Sequence, residues 1–258
     1  MRARRAVAVA AMVLLSLGSI AGSSEAADIK VVSTNVMKWA LPEIVSGFEQ
    51  ATGHKVSVEY GLSSELKLRL LDGDHPDVAL LTAPIIEDLV RQERVVAESQ
   101  TGIAHCGLAL VAHAGAEKPD ISSPEAFKNA LLKARSVAFS RSGQSGLHFS
   151  RVLEWLGISD TIKSKIKPAS GNAATMVAKG EAEFGIQHIP DIRHVDGVDM
   201  VGPLPESLQD VTNFSAGVES SSQQASAAQA FIRYLSSPAA VQALKANGFV
   251  VGPQPVGS

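Results

Sequence analysis

The chain has 258 residues, with 23 Lys and Arg against 26 Asp and Glu and a net charge of −3. It carries no basic run, which excludes a nucleic-acid footprint, and its one cysteine, Cys106, excludes an internal disulfide. The seven histidines do not fall at zinc-ligand spacing, so no metal and no cofactor is expected.

The first residues read as an export leader. Arg2, Arg4 and Arg5 precede an apolar run from Ala6 to Ile20, and small residues continue to Ala26. That order of basic, apolar and small-residue segments is a secretory signal peptide, with cleavage expected after Ala26. The apolar run is shorter than the ~20 residues a membrane span needs, so the mature chain is expected to be free in the periplasm. Residues 1–26 carry three Arg and one Glu, which leaves 20 basic against 25 acidic residues.

From Asp28 the pattern alternates strand and helix. Strand 28–32 ends at Ser33-Thr34-Asn35, and a helix follows to about Ala51, with Pro42 either in its first turn or at a kink. Strand 55–60 alternates apolar and polar residues and gives way at Gly61-Leu62-Ser63-Ser64 to a helix ending at Leu71. Strand 77–81 follows, and Pro84 opens a helix to about Val95. Residues 103–113 read as one long strand carrying the chain into a second lobe, with Cys106 as a buried inert thiol inside it. A helix from Pro124 to Ala134 comes next, capped by Ser123.

Residues 136–157 are the stretch around which the chain is organised. A short strand, Val137 to Phe139, feeds a Gly/Ser loop and then a helix with Leu147, Val152, Leu153, Trp155 and Leu156 mostly on one face. A strand that ends in small polar residues at a helix start leaves backbone N–H groups pointing outward, and these attract an anion. Further elements are helices at 159–165 and 173–179, strands at 183–187, 198–201 and 211–218, and helices at 223–235 and 238–246.

Such alternation predicts an α/β fold, and the continuous apolar runs DVALL and GLALV predict buried parallel strands. Ligands of such sheets lie beyond the carboxyl ends of the strands. Thr34, Asn35, Ser63 and Ser64 are therefore expected on the same edge as Ser140 to Ser145.

The segments DIKVVSTN to FEQATG, VSVEYGLSSELKLRLLDGDHPDVALLTAP, NAATMVAKGEAEFGIQHI, VDMVGPLPESLQ and AAQAFIRYLSSPAAVQALKANGF together resemble the periplasmic molybdate-binding proteins of ABC transporters. The resemblance implies a type II periplasmic-binding-protein fold, with two Rossmann-like α/β lobes joined by a hinge. The boundaries would be 27–112 for the first part of lobe one, 113–210 for lobe two and 211–258 for the return. It implies a monomer that holds a small anion, an oxyanion or a carboxylate, and delivers it to an ABC permease.

Carried over by motif, the first-lobe contacts would be Thr34 or Asn35 and Ser63 or Ser64. Those of the second lobe would be Ser145 or Gly146, the N–H near Asn172 and Ala173, and His188. The family's Tyr after the glycine-isoleucine strand is replaced here by Gln187-His188. Lys67 and Arg141 add charge near the expected cleft. Arg141 either contacts a carboxylate or faces solvent, and Lys67 either joins it or pairs with Glu65 or Asp74. The aconitate isomerases resemble the same family, and an isomerase of an unsaturated tricarboxylate is the alternative. It would need His188 or His148 as the group that moves a proton.

Overall fold

A computed structural model of the chain describes residues 26–252. The leader, and with it the signal-peptide assignment, lies outside the described residues.

The first part runs β1 (Asp28–Thr34), a 3-10 helix (Asn35–Trp39), α1 (Leu41–Thr52), β2 (Lys55–Gly61), α2 (Ser63–Leu71), β3 (Val78–Thr82), α3 (Ala83–Arg91) and β4 (Thr101–Cys106). The middle runs β5 (Leu108–His113), α4 (Pro124–Lys133), β6 (Val137–Phe139), α5 (Gln144–Trp155), α6 (Ser159–Ile162), β7 (Ile166–Pro168), α7 (Ala173–Ala178), β8 (Phe184–His188), α8 (Ile189–Ile192) and β9 (Val198–Pro203). The last part is β10 (Thr212–Val218), α9 (Ala225–Tyr234) and α10 (Pro238–Ala246). Among the described residues no helix is long and apolar enough to cross a membrane.

Two five-stranded sheets result, in the orders β2-β1-β3-β10-β4 and β7-β6-β8-β5-β9. Each supports one lobe. The sheets are mixed rather than parallel. β1 is parallel to β2 and β3, but β10 runs antiparallel to β3 and β4. The GLALV run, expected to be parallel, is β5, and it is antiparallel to both β8 and β9. A continuous apolar run reports burial on both faces, and burial does not fix strand direction.

The long strand expected over 103–113 is two strands that belong to different sheets. The chain changes sheet at Gly107, earlier than the boundary expected after residue 112. Gln209, in the return segment, pins this crossing. Its Oε1 accepts from Leu108 N–H at 2.7 Å and its Nε2 donates to Leu108 O at 2.9 Å. A Cβ at position 107 would lie 3.0 Å from the Gln209 amide, so glycine lets the two connecting segments pack together.

Each lobe has its own core. In the first, Phe48 meets Phe231 edge-to-face at 5.2 Å, between α1 and α9. In the second, Phe139 meets Phe149 edge-to-face at 5.0 Å. Such pairs add about 0.5–1.5 kcal/mol beyond their burial. Pro42 sits in the first turn of α1, where its missing N–H costs nothing. The buried face of α5 is Ser145, Gly146, Phe149, Val152 and Leu153. Leu147 and Trp155, expected on that face, are 47% and 66% exposed. At 100° per residue that face lies roughly opposite Leu147 and Trp155, which therefore point outward.

Candidate functional site

Between the lobes lies a cleft of about 470 Å³. Both sheets reach it in the same way: a strand ends in a hydroxyl or amide residue and a helix begins. From the first lobe come Thr34 and Asn35 after β1, Ser63 and Ser64 opening α2, and Thr82 capping α3. From the second come Ser140 after β6, Gln144 and Ser145 opening α5, Asn172 capping α7, and His188 capping α8.

The helix starts supply donors. In α2 the first helical bond is Leu66 N–H to Leu62 O at 2.9 Å, which leaves the N–H groups of Ser63, Ser64 and Glu65 ahead of it. In α5, Gly146 and Leu147 N–H both bond Gly143 O at 3.0 Å, leaving Gln144 and Ser145 ahead of them. Among the described residues the hydroxyls of Thr34, Ser64 and Ser145 and the side-chain amide of Asn35 take no partner within the protein. Ser145 is only 4% exposed. Hydroxyls, N–H groups and the positive ends of α2 and α5 thus face one space from opposite sides, an arrangement suited to an anion.

Of the residues singled out in the sequence, the cleft gathers Thr34, Asn35, Ser63, Ser64, Ser145, Asn172 and His188. Five others lie elsewhere. Lys67 pairs with Asp88 on α3 at 2.5 Å, and with neither Glu65 nor Asp74. That ammonium, with Arg91, holds the Asp88 carboxyl below the ordinary range. Arg141 is exposed and outside the cleft lining. Gly146 is buried against the end of β6, where a Cβ would come within 1.3 Å of Ser140 O. Its role is close approach of helix to strand, not ligand contact. The Ala173 N–H is already taken by Gln187 Oε1 at 3.3 Å. His148 turns away from the cleft: its Nε2 lies 2.8 Å from Leu208 O and its Nδ1 3.4 Å from Asp210.

His188 is buried, and its Nε2 lies 3.2 Å from Thr212 Oγ1. Burial pushes its imidazole below the ordinary histidine value, while the carboxylates of Asp191 and Asp210 pull the other way. Cys106 is buried, and burial pushes its thiol up, so it is inert. Among the described residues no cluster of His, Cys, Asp and Glu could hold a metal ion.

Among the polar side chains of the cleft wall, the sequence reading did not place Lys38, Glu65, Thr82 and Asp191 there. Thr82 obeys the same strand-end rule as Thr34 and could have been found by it. Asp191 sits in a short helix that the apolar pattern did not mark. Its Oδ1 accepts from Trp39 Nε1 at 2.9 Å and its Oδ2 from Gln187 Nε2 at 2.7 Å. Gln187 and Asp191 therefore form a closed network under the cleft, and Gln187 is committed to protein groups.

Comparison with known proteins matches residues 29–250 to the bacterial extracellular solute-binding proteins. The chain is 32% identical to an aconitate isomerase from a Pseudomonas species over 250 residues, covering 94% of each. It is 28% identical to the molybdate-binding protein of Azotobacter vinelandii over 248 residues, 92% of this chain and 96% of that one. The solved periplasmic molybdate-binding protein of Azotobacter vinelandii superposes with a TM-score of 0.73 at 23% identity, over 87% of this chain and all of that one.

Proposed function

The chain belongs to the bacterial extracellular solute-binding proteins, and from that premise we propose that it captures a small anion, an oxyanion or a carboxylate, between its lobes for uptake by an ABC transporter. The observation that carries this reading is the convergence of free hydroxyls and helix-start N–H groups from both lobes on one cleft. A ligand that bonds Ser64 on one side and Ser145 on the other stabilises the closed arrangement over the open one, and closure is the signal a permease reads. The basic and apolar leader supports export to the periplasm.

The test is a thermal-shift screen of oxyanions and of mono-, di- and tricarboxylates. A true ligand at about 100 times its Kd adds about 2.7 kcal/mol to stability. A screen in which no anion raises the melting temperature sinks the proposal.

A second reading is favoured by the Pseudomonas relative and by one cleft residue. An isomerase of an unsaturated tricarboxylate needs a group that takes a proton from one carbon and returns it to another. His188 lines the cleft, and burial holds its imidazole toward the neutral, basic form. With the protein in D2O, interconversion of cis- and trans-aconitate followed by proton NMR, and lost in His188→Ala, would make it an enzyme. Saturable binding without turnover or deuterium uptake leaves it a capture protein.

A further inference from the structure

We propose that Lys38 is the counter-ion for a second acidic group on the ligand, which makes the occupant of the cleft an organic polycarboxylate rather than a single-centre oxyanion. This rests on the anion-capture reading and narrows it. Among the described residues that line the cleft, Lys38 is the one Lys or Arg. It makes no ion pair with a carboxylate among the described residues. Lys67, on α2 of the same lobe, is paired with Asp88.

The side chain of Lys38 is exposed and rests against its neighbour in the chain. Its Nζ lies 4.7 Å from the centroid of the Trp39 ring, within cation–π reach. Trp39 is itself fixed by its bond to Asp191 and by stacking on His194 at 4.2 Å with an interplanar angle of 8°. The cation therefore rests on a platform anchored in the opposite lobe.

Geometry separates this charge from the hydroxyl cluster. Asn35 and Lys38 belong to one 3-10 helix, in which residues three apart lie on the same side and are displaced by about 6 Å along the axis. Asn35 stands beside Thr34 at the helix start, among the neutral donors. One anionic group at those donors leaves Lys38 about a helical turn away. A tetrahedral oxyanion has all its charge at one centre and no use for that second position. Two carboxylates on a short carbon chain span it. The cleft volume of about 470 Å³ falls within the ~300–1,000 Å³ of clefts that take organic ligands.

The experiment is titration calorimetry with trans-aconitate, the saturated analogue tricarballylate, molybdate and sulfate as probes. The proteins are the parent, Lys38→Met, Lys38→Arg and, as a charge control, Lys133→Met on the exposed side of α4. The expected result is tricarboxylate binding that weakens about 10- to 100-fold in Lys38→Met, recovers in part in Lys38→Arg and is unchanged in Lys133→Met. Any oxyanion binding should be equal in the parent and Lys38→Met. Binding of molybdate or sulfate without tricarboxylates overturns the inference and leaves anion capture standing. Equal tricarboxylate affinity in Lys38→Met also overturns it. Binding of none of the four overturns the inference, while anion capture stands or falls with the wider thermal-shift screen.

Discussion

The indole Nε1 of Trp39 donates to Oδ1 of Asp191 at 2.9 Å, across the boundary between the lobes. The donor follows β1 of the first sheet and the acceptor follows β8 of the second, so the two are 152 residues apart in sequence. Around this bond the lobes meet again: His194 Nε2 lies 2.7 Å from Asn247 Oδ1, and Arg193 Nη1 donates to Ala246 O at 3.1 Å.

Trp39→Phe removes that donor and keeps an aromatic ring under Lys38. Asp191 is 7% exposed, and it would retain only Gln187 as a side-chain donor. A buried acceptor left unsatisfied costs about 1–3 kcal/mol, and denaturant unfolding should register a loss in that range. An unchanged midpoint would mean that the bond contributes nothing net.

Ser145→Ala should separate binding from folding. Among the described residues the hydroxyl has no partner, so stability should stay within about 0.5 kcal/mol of the parent. Affinity for the anion should fall about tenfold or more, as expected for a hydrogen bond to a charged group. Calorimetry and a thermal melt on the same preparation check both halves.

Gly146→Ala should do the reverse. The added Cβ meets the backbone carbonyl of Ser140, and backbone cannot swing aside as the end of a side chain can. Overpacking of this kind costs about 1–3 kcal/mol and occasionally more. Unfolding should show a loss at or above the top of that range, with ligand binding lost as the loop before α5 is displaced.

Arg141→Ala is expected to leave anion affinity within about twofold, since the side chain lies on an exposed loop outside the cleft lining and a solvated charge contributes little. Calorimetry at low and high salt checks this. A large loss at both ionic strengths would bring Arg141 back to the ligand.

The pH dependence of stability should carry a mark of His188. Its folded-state pKa lies below the ordinary value of 6.5. As pH falls below about 6.5 the unfolded chain takes up a proton that the folded state refuses, so stability drops with pH until the folded pKa is reached. Melting temperatures measured between pH 7.5 and 5 should fall less steeply in His188→Asn than in the parent. Parallel profiles would show that His188 does not titrate in this window.

Much of the cleft was legible because its rule is local. Thr34 sits where an apolar strand gives way to a helix, and Ser63, Ser64 and Asn172 sit among the small polar residues at helix starts, which a few neighbouring residues suffice to show. Charges obeyed no such rule. Lys67 finds Asp88 on another helix rather than the acids beside it in sequence, and His148 finds Leu208 and Asp210 on the return segment. Lys38 drew no attention because a lysine in a helical stretch ordinarily faces solvent. Strand direction in GLALV and the break at Gly107 were also hidden, since both depend on which strands lie alongside.

The threading of the first sheet sets an order on its assembly. All five strands of the second sheet come from one uninterrupted stretch, from β5 to β9, and can pair as soon as that stretch exists. β4 is joined to the first sheet through β10 alone. It stays without a neighbour until residues on the far side of the entire second lobe have arrived. Closing so long a loop comes late in folding. In refolding followed by pulsed hydrogen exchange, the amides of β5 and β8 should therefore be protected before those of β4, and simultaneous protection would show that the lobes fold as one unit.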